Sequence, residues 1–211
     1  MNARNVVLPA LATATLAMMA LGVCLPGPQA ALAYPPGVGI LGKAKNCLAC
    51  HVNNGPWKDD GTTIIDILDK DTKKSLRQPD GHFMIEAKRG EDRTVLTVIG
   101  RTIEDRDLAP HRNAWLYIDP RTIASSSLSK FAPGWDVNLP MSCRVVGDSL
   151  DGFAGKSLSV LPMTIRAGDP AQNAELTLQV MLTRGESVKG KPQEGMVGNY
   201  FERRVQLKVK D

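Results

Sequence analysis

The chain has 211 residues, of which 43% are hydrophobic and 23% charged, with a formal net charge of +4. This composition is typical of a soluble globular protein and excludes collagen, coiled coil and wholesale disorder. The charge excess is too small to favour a nucleic-acid-binding protein, so we expect no nucleic-acid partner.

The first 33 residues have the three parts of an export signal. Residues 1–4 give a positive start through Arg4, residues 6–23 are almost entirely apolar, and Ala31-Leu32-Ala33 gives a small-x-small cleavage pattern. We therefore predict an exported, periplasmic or similar location, with 178 of the 211 residues left to fold after cleavage. The alternative is a retained membrane anchor, because the apolar stretch approaches the ~20 residues that span a bilayer. Pro26 and Pro28 follow that stretch and favour cleavage.

The cysteines carry the most specific signal. Cys24 is lost with the signal, and Cys47, Cys50 and His51 form a C-x-x-C-H pattern, which is the attachment pattern of c-type haem. In such a site two thioethers hold the porphyrin and the adjoining histidine is the proximal iron ligand. The sequence therefore predicts one covalently attached haem c. Only Cys143 remains, so no structural disulfide within the mature chain is expected.

Two other functions of a C-x-x-C pair were weighed. A zinc site needs further Cys or His ligands at similar spacing, but His82 and His111 lie singly and far apart. A thiol-redox site needs a β-α-β context, which the flanking sequence does not provide. Haem attachment is the interpretation that the spacing favours.

The run from Leu41 to His51, with Gly55-Pro56 after it, resembles the amino-terminal haem segment of class I c-type cytochromes. The resemblance covers about residues 37–57. It implies a short helix leading into the attachment motif and a Gly-Pro pair that helps to orient the proximal His51. Beyond Trp57 the likeness stops.

The rest of the chain is divided into short β-patterned runs separated by turn residues. Residues 69–73 and 79–81 are predicted turns, and 88–92 is the predicted turn of a hairpin between residues 83–87 and 94–99. Residues 176–182 and 205–209 alternate clearly and are predicted to be antiparallel neighbours. Met181 interrupts the alternation, so the outer face of its strand is expected to be covered. Only residues 121–130 read as helical. The further predicted strands are residues 62–68, 115–118, 142–146 and 157–165.

Seven to nine strands predict a mainly β fold, an immunoglobulin-like antiparallel β-sandwich with a short, partly helical, amino-terminal haem-binding segment. The predicted domains are the signal peptide (1–33), the haem c attachment segment (34–60) and the sandwich (61–211). Because the segment is too short to enclose a haem, we expect the sandwich to cover one face of the ring.

The sequence alone does not identify the sixth iron ligand. We select His111, because it lies in a predicted loop that is not committed to a sheet. The other candidates, beside an open iron site, are His82, Met84, Met141, Met163 and Met196. The competing role of each methionine is to fill the core.

The predicted function is single-electron transfer by an exported monohaem cytochrome, alone or as a subunit of a respiratory or sulfur- or nitrogen-compound-oxidising complex. Lys43 and Lys45 beside the haem motif can steer an acidic redox partner. Two alternatives stay open: a haem protein with an open iron site that binds or converts a small ligand, and an assembly subunit whose haem is secondary.

Overall fold

The computed structural model describes residues 45–49, 51–104, 108–122, 131–185 and 194–211, all within one compact unit, Ala33–Asp211. No helix in these ranges is long and apolar enough to cross a membrane. Two single 3-10 turns, Cys47–Ala49 and Pro120–Thr122, accompany the strands. The strands in these ranges are β1 (Thr63–Asp69), β2 (Phe83–Lys88), β3 (Asp92–Thr102), β4 (Arg112–Ile118), β5 (Trp135–Val137), β6 (Met141–Val145), β7 (Lys156–Ala167), β8 (Ala174–Gly185) and β9 (Met196–Lys210).

The strands form two sheets, one of order β1-β3-β7-β5 and one of order β2-β9-β8-β4-β6. This confirms the predicted mainly β sandwich. The paired strands described are antiparallel apart from β2 and β9, which run parallel from Phe83↔Val205 to Lys88↔Lys210. A parallel pair requires a long connection, and here almost the whole domain separates the two strands.

The core lies between the sheets and follows the period-2 alternation of the strands. On β8 the side chains of Leu176, Leu178, Val180 and Leu182 are all at most 1% exposed. Tryptophans 57, 115 and 135 belong to the same cluster. All three help to fill the core, and Trp57 carries the amino-terminal segment into the sandwich interior.

The pairing of the last two strands was predicted correctly, but the earlier hairpin was not. β8 and β9 are antiparallel from Ala174↔Leu207 to Gly185↔Met196. The predicted hairpin of residues 83–87 with 94–99 is wrong, because β2 and β3 belong to different sheets. The turn between them passes the chain across the sandwich, with Gly90 at φ 76°. Of the predicted helix 121–130, residues 121 and 122 lie in the second 3-10 turn, and the others fall outside the described residues.

The predicted turn after β1 is stabilised by one carboxylate. Asp69 accepts hydrogen bonds from the main chain and the hydroxyl of Thr72 at 2.7 and 2.8 Å, and Arg93 lies 2.6 Å away. These hydrogen bonds, followed by the charge of Arg93, hold the pKa of Asp69 below its ordinary value. The hydrogen bonds of this turn therefore account for the aspartate at position 69.

Strand β9 is longer than its neighbour β2, so its first half has an unpaired edge. The parallel pairing begins only at Val205. Along the earlier part, Asn53 Oδ1 accepts from the amide of Tyr200 at 3.1 Å, and Asn54 Oδ1 accepts from that of Gly198 at 3.2 Å. The amide of Gly55 in turn donates to the Gly198 carbonyl at 2.7 Å. The segment that follows the C-x-x-C-H motif therefore caps this edge.

Candidate haem-attachment site

The motif begins on the first 3-10 turn, Cys47–Ala49. The amide of Ala49 donates to the carbonyl of Asn46 at 3.2 Å, and the amide of His51 donates to that of Cys47 at 2.9 Å. The second of these hydrogen bonds ties the main chain of His51 back to Cys47, the first residue of the turn. Among the described residues of the segment the helical part is this one turn; the expected helix before the motif, with the signal peptide, and Cys50 lie outside the described residues.

Gln179 of β8 attaches this turn to the sandwich. It is 2% exposed, and alternation places it on the face opposite to Leu178 and Val180. Its amide nitrogen donates to the carbonyl of Lys45 at 3.0 Å, and its amide oxygen accepts from the thiol of Cys47 at 3.5 Å. A buried amide needs such partners. The side chain therefore fixes the start of the motif against the outer face of the sheet.

His51 contacts the first residue of β9. Its Nδ1 lies 3.2 Å from the sulfur of Met196. Burial lowers the pKa of His51, which favours the neutral imidazole. Neutral imidazole is the form that ligates a metal.

Asn199 holds the segment after the motif. It is 3% exposed, accepts from the amide of Trp57 at 2.6 Å and donates to the side-chain oxygen of Asn53 at 3.0 Å. The indole of Trp57 donates to the carbonyl of Leu108 at 2.6 Å. Residues 53–57 are thereby fixed to β9 on one side and to the chain before β4 on the other.

Two glycines allow this close approach. A Cβ on Gly55 would lie 2.9 Å from the carbonyl carbon and oxygen of Gly198. A Cβ on Gly198 would lie 2.8 Å from the Met181 methyl and 3.0 Å from the carbonyl oxygen of Val52. Met181 itself is fully buried. The predicted covering of the outer face of β8 is therefore confirmed, with Val52 beside it.

His111, the selected sixth ligand, has an exposed side chain just before β4. The expectation that its loop is not committed to a sheet is wrong. Its amide donates to the carbonyl of Thr183, and its carbonyl accepts from the amide of Val146, both at 2.9 Å. The main chain thus extends the β8–β4–β6 ladder and is fixed, which leaves the ring as the adaptable part. Its role as a ligand stays a prediction.

The other candidates are spread over the sandwich. Met163 is 1% exposed within the core, as its competing role predicted. His82 makes a short contact with Asp80 through Nδ1, Met84 lines an open cavity beside Glu175 and Lys208, and Met141 begins β6. Of these candidates, Met196 is the one whose sulfur contacts His51.

The donor set fits haem c by its chemistry. Within the described ranges no group of three or more His, Cys, Asp or Glu is clustered to hold a metal ion. A covalently tethered haem would need two thiols and one imidazole; the described residues supply Cys47 and His51, and Cys50 lies outside them. A hydrogen bond joins the main chains of Cys47 and His51, and Nδ1 of His51 faces Met196, so Nε2 would be the ring atom that ligates an iron. The two described donors, Cys47 and His51, are therefore chemically compatible with haem c attachment.

The positive charge near the end of the chain is largely paired in the structure. Arg203 contacts Asp60, Arg204 lies 3.1 Å from Asp80, and Lys208 and Lys210 flank Glu86. Lys45, by contrast, is exposed beside the motif. Lys45 is therefore accessible to a partner that approaches the motif, whereas Lys43 lies outside the described residues.

Gln179, Asn199 and the Met196 contact are the parts of the site that sequence reasoning missed. Large side chains at the outward positions of β8 were the available signal, and Met181 was its visible member. For Asn199 there was no signal, because its partners are 142 and 146 positions away in the sequence.

No family model matches the sequence, and no curated protein sequence matches it significantly. Among solved structures the chain is similar to the ASH/PapD-like domain of human CEP192 (PapD-like domain 7). The two are 7% identical, the match covers 74% of this chain and 92% of that one, and the TM-score is 0.28.

Proposed function

We propose that the protein is an exported monohaem c-type cytochrome that transfers single electrons to or from a redox partner. The observation that carries the proposal is the C-x-x-C-H motif on a 3-10 turn anchored to the sandwich. Gln179 is buried against its first cysteine, and the ring of its histidine contacts Met196. The same elements leave residues 45 and 49 at the surface, where a partner can approach.

In this proposal Cys47 and Cys50 hold the porphyrin through thioethers and His51 is the proximal ligand. When bound, haem c supplies a one-electron Fe(III)/Fe(II) couple. The protein's own contribution is rigidity, because a ligand that moves little between the two oxidation states reduces the reorganisation that accompanies each transfer. Gln179, Asn199 and the glycine contacts supply that rigidity.

His111 remains the proposed sixth ligand. Trp57 donates to Leu108, three residues before it, and Arg184 at the end of β8 donates to Ala109 at 2.9 Å. These contacts hold residues 108–111 beside the carboxyl end of the haem segment. In this proposal the exposed imidazole of His111, carried on this fixed main chain, would supply the second axial nitrogen to the iron.

The proposed partner is an acidic redox protein, and the proposed setting is the periplasm or an equivalent compartment, alone or within a respiratory or sulfur- or nitrogen-compound-oxidising complex. Lys45 is exposed next to the motif, and a cation near a haem edge accelerates encounter with an acidic surface.

A redox-titrated absorption spectrum of the mature protein tests the proposal. Electron transfer predicts a single one-electron transition and a low-spin, six-coordinate spectrum in both oxidation states that carbon monoxide does not perturb. Immediate binding of carbon monoxide to the ferrous protein would favour a ligand-binding or catalytic function instead. A His111→Ala variant with unchanged oxidised and reduced spectra would remove His111 as the ligand.

A further inference from the structure

The contact between His51 and Met196 favours one tautomer of the imidazole ring. A thioether sulfur has no hydrogen to donate and accepts only weakly. The 3.2 Å approach of Nδ1 to Sδ is therefore a hydrogen bond only if Nδ1 is protonated. In a neutral imidazole, Nε2 is then the atom with the lone pair.

Met196 is well placed to hold this contact. It is the first residue of β9 and pairs with Gly185, while Gly198, two residues on, is fixed by Asn54 and Gly55 on its other side. The amide of His51 is also bonded, to the carbonyl of Cys47. Both the imidazole and the sulfur are thus carried on a restrained main chain.

We propose that Met196 is a positioning residue for the proximal histidine, a thioether acceptor for Nδ1–H that orients the ring and directs Nε2 towards the haem iron. This inference rests on the proposed haem function. Histidine ligands generally donate their second N–H to a carboxylate, a backbone carbonyl or water, and that acceptor raises the basicity of the ligand. Sulfur is a weaker acceptor than any of these.

The weak acceptor has a consequence for the reduction potential. A strong acceptor gives the ring more imidazolate character and stabilises ferric over ferrous iron, which lowers the potential. A thioether does this less, so Met196 keeps the potential higher than a carbonyl acceptor would. A tenfold change in the preference for the ferric state corresponds to about 59 mV for one electron.

The test uses the haem-loaded protein with Met196→Gln and Met196→Leu, and Leu139→Gln as the matched control, since Leu139 is a partly exposed apolar residue (38%) in another part of the sandwich. Met196→Gln supplies a stronger acceptor and is expected to lower the potential by up to the tenfold equivalent of about 59 mV. Met196→Leu removes the acceptor and is expected to leave the potential equal or higher, with faster solvent exchange of the His51 Nδ1 proton by NMR. Leu139→Gln is expected to change neither.

Two results would overturn the inference while leaving the proposed function intact. One is an attached haem whose potential and Nδ1 proton exchange are the same in wild type and both Met196 variants. The other is loss of a ligand in both variants, seen as a lowered potential together with new carbon monoxide binding, because Met196 would then be an iron ligand itself. Failure of the wild-type chain to attach haem would instead overturn the proposed function and this inference with it.

Discussion

Replacing Asn199 with alanine should loosen the attachment of residues 53–57 to β9. The substitution leaves the amide of Trp57 without its 2.6 Å acceptor in a site where Asn199 is only 3% exposed. An orphaned buried donor costs roughly 1–3 kcal/mol, and the lost bond to Asn53 costs about 1 kcal/mol more. Asn53 keeps its bond from Tyr200 and adds no further penalty. The expected total is roughly 2–4 kcal/mol, or a fall in Tm of roughly 4–16 °C at this chain length.

Asn113→Ala is the matched control for this prediction. Asn113 is a fully buried asparagine that donates to Ile99 and Ser159 at 2.9 and 3.1 Å, but it lies between the sheets. Thermal unfolding should show a loss of stability in both variants. Hydrogen exchange should show faster exchange of the Gly55 and Trp57 amides, at temperatures well below unfolding, in Asn199→Ala alone. Equal exchange in the two variants would refute the view that Asn199 anchors the segment.

Three further predictions concern other contacts. Gly55→Ala should destabilise the protein by roughly 1–3 kcal/mol in denaturant unfolding, because the added Cβ would clash with backbone atoms. In the control variant Gly61→Ala the added Cβ contacts only the Asp59 side chain, which can move, so the cost should be small. Equal costs in the two variants would contradict the close packing at Gly55. Because the folded state lowers the pKa of Asp69, this carboxylate contributes stability above its unfolded pKa of about 3.9, and that contribution is lost as pH falls through the folded value. Asp69→Asn should therefore make the free energy of unfolding fall less steeply with pH in the acid range. An unchanged slope would refute this. Lys45→Glu should slow electron transfer with an acidic partner at low salt but not at high salt. The control variant Arg204→Gln should have little effect, because Arg204 is ion-paired. Rates that do not depend on salt would count against electrostatic attraction of the partner by Lys45.

Local pattern was sufficient to predict most strands and the fold class. The alternation of Leu176, Leu178, Val180 and Leu182 marks one buried face of β8, and residues with that spacing can do so only in a strand. Met181 at an outward position also predicted that something covers the sheet. These inferences succeed because they depend on neighbours within a few residues.

Pairing between distant strands could not be predicted in the same way. Nothing in residues 83–88 indicates a parallel partner at residues 205–210, and the turn at Gly90 serves a crossing between sheets as well as it would serve a hairpin. The candidate site likewise has a part that the local sequence reveals and a part that it does not. The C-x-x-C-H spacing identifies its chemistry, whereas the contacts of Gln179, Met196 and Asn199 with the motif segment join residues more than 130 positions apart and depend on the finished fold.

The most direct test of the central claim is the intact mass and visible spectrum of the mature protein, produced in an exporting host that attaches c-type haem. A monohaem c-type cytochrome should have the mass of the chain plus one haem and a haem spectrum that survives denaturation. Both should be lost in a Cys47→Ser, Cys50→Ser double variant but not in Cys143→Ser. A wild-type chain with the unmodified mass, both motif thiols open to alkylation and no haem absorbance would contradict it.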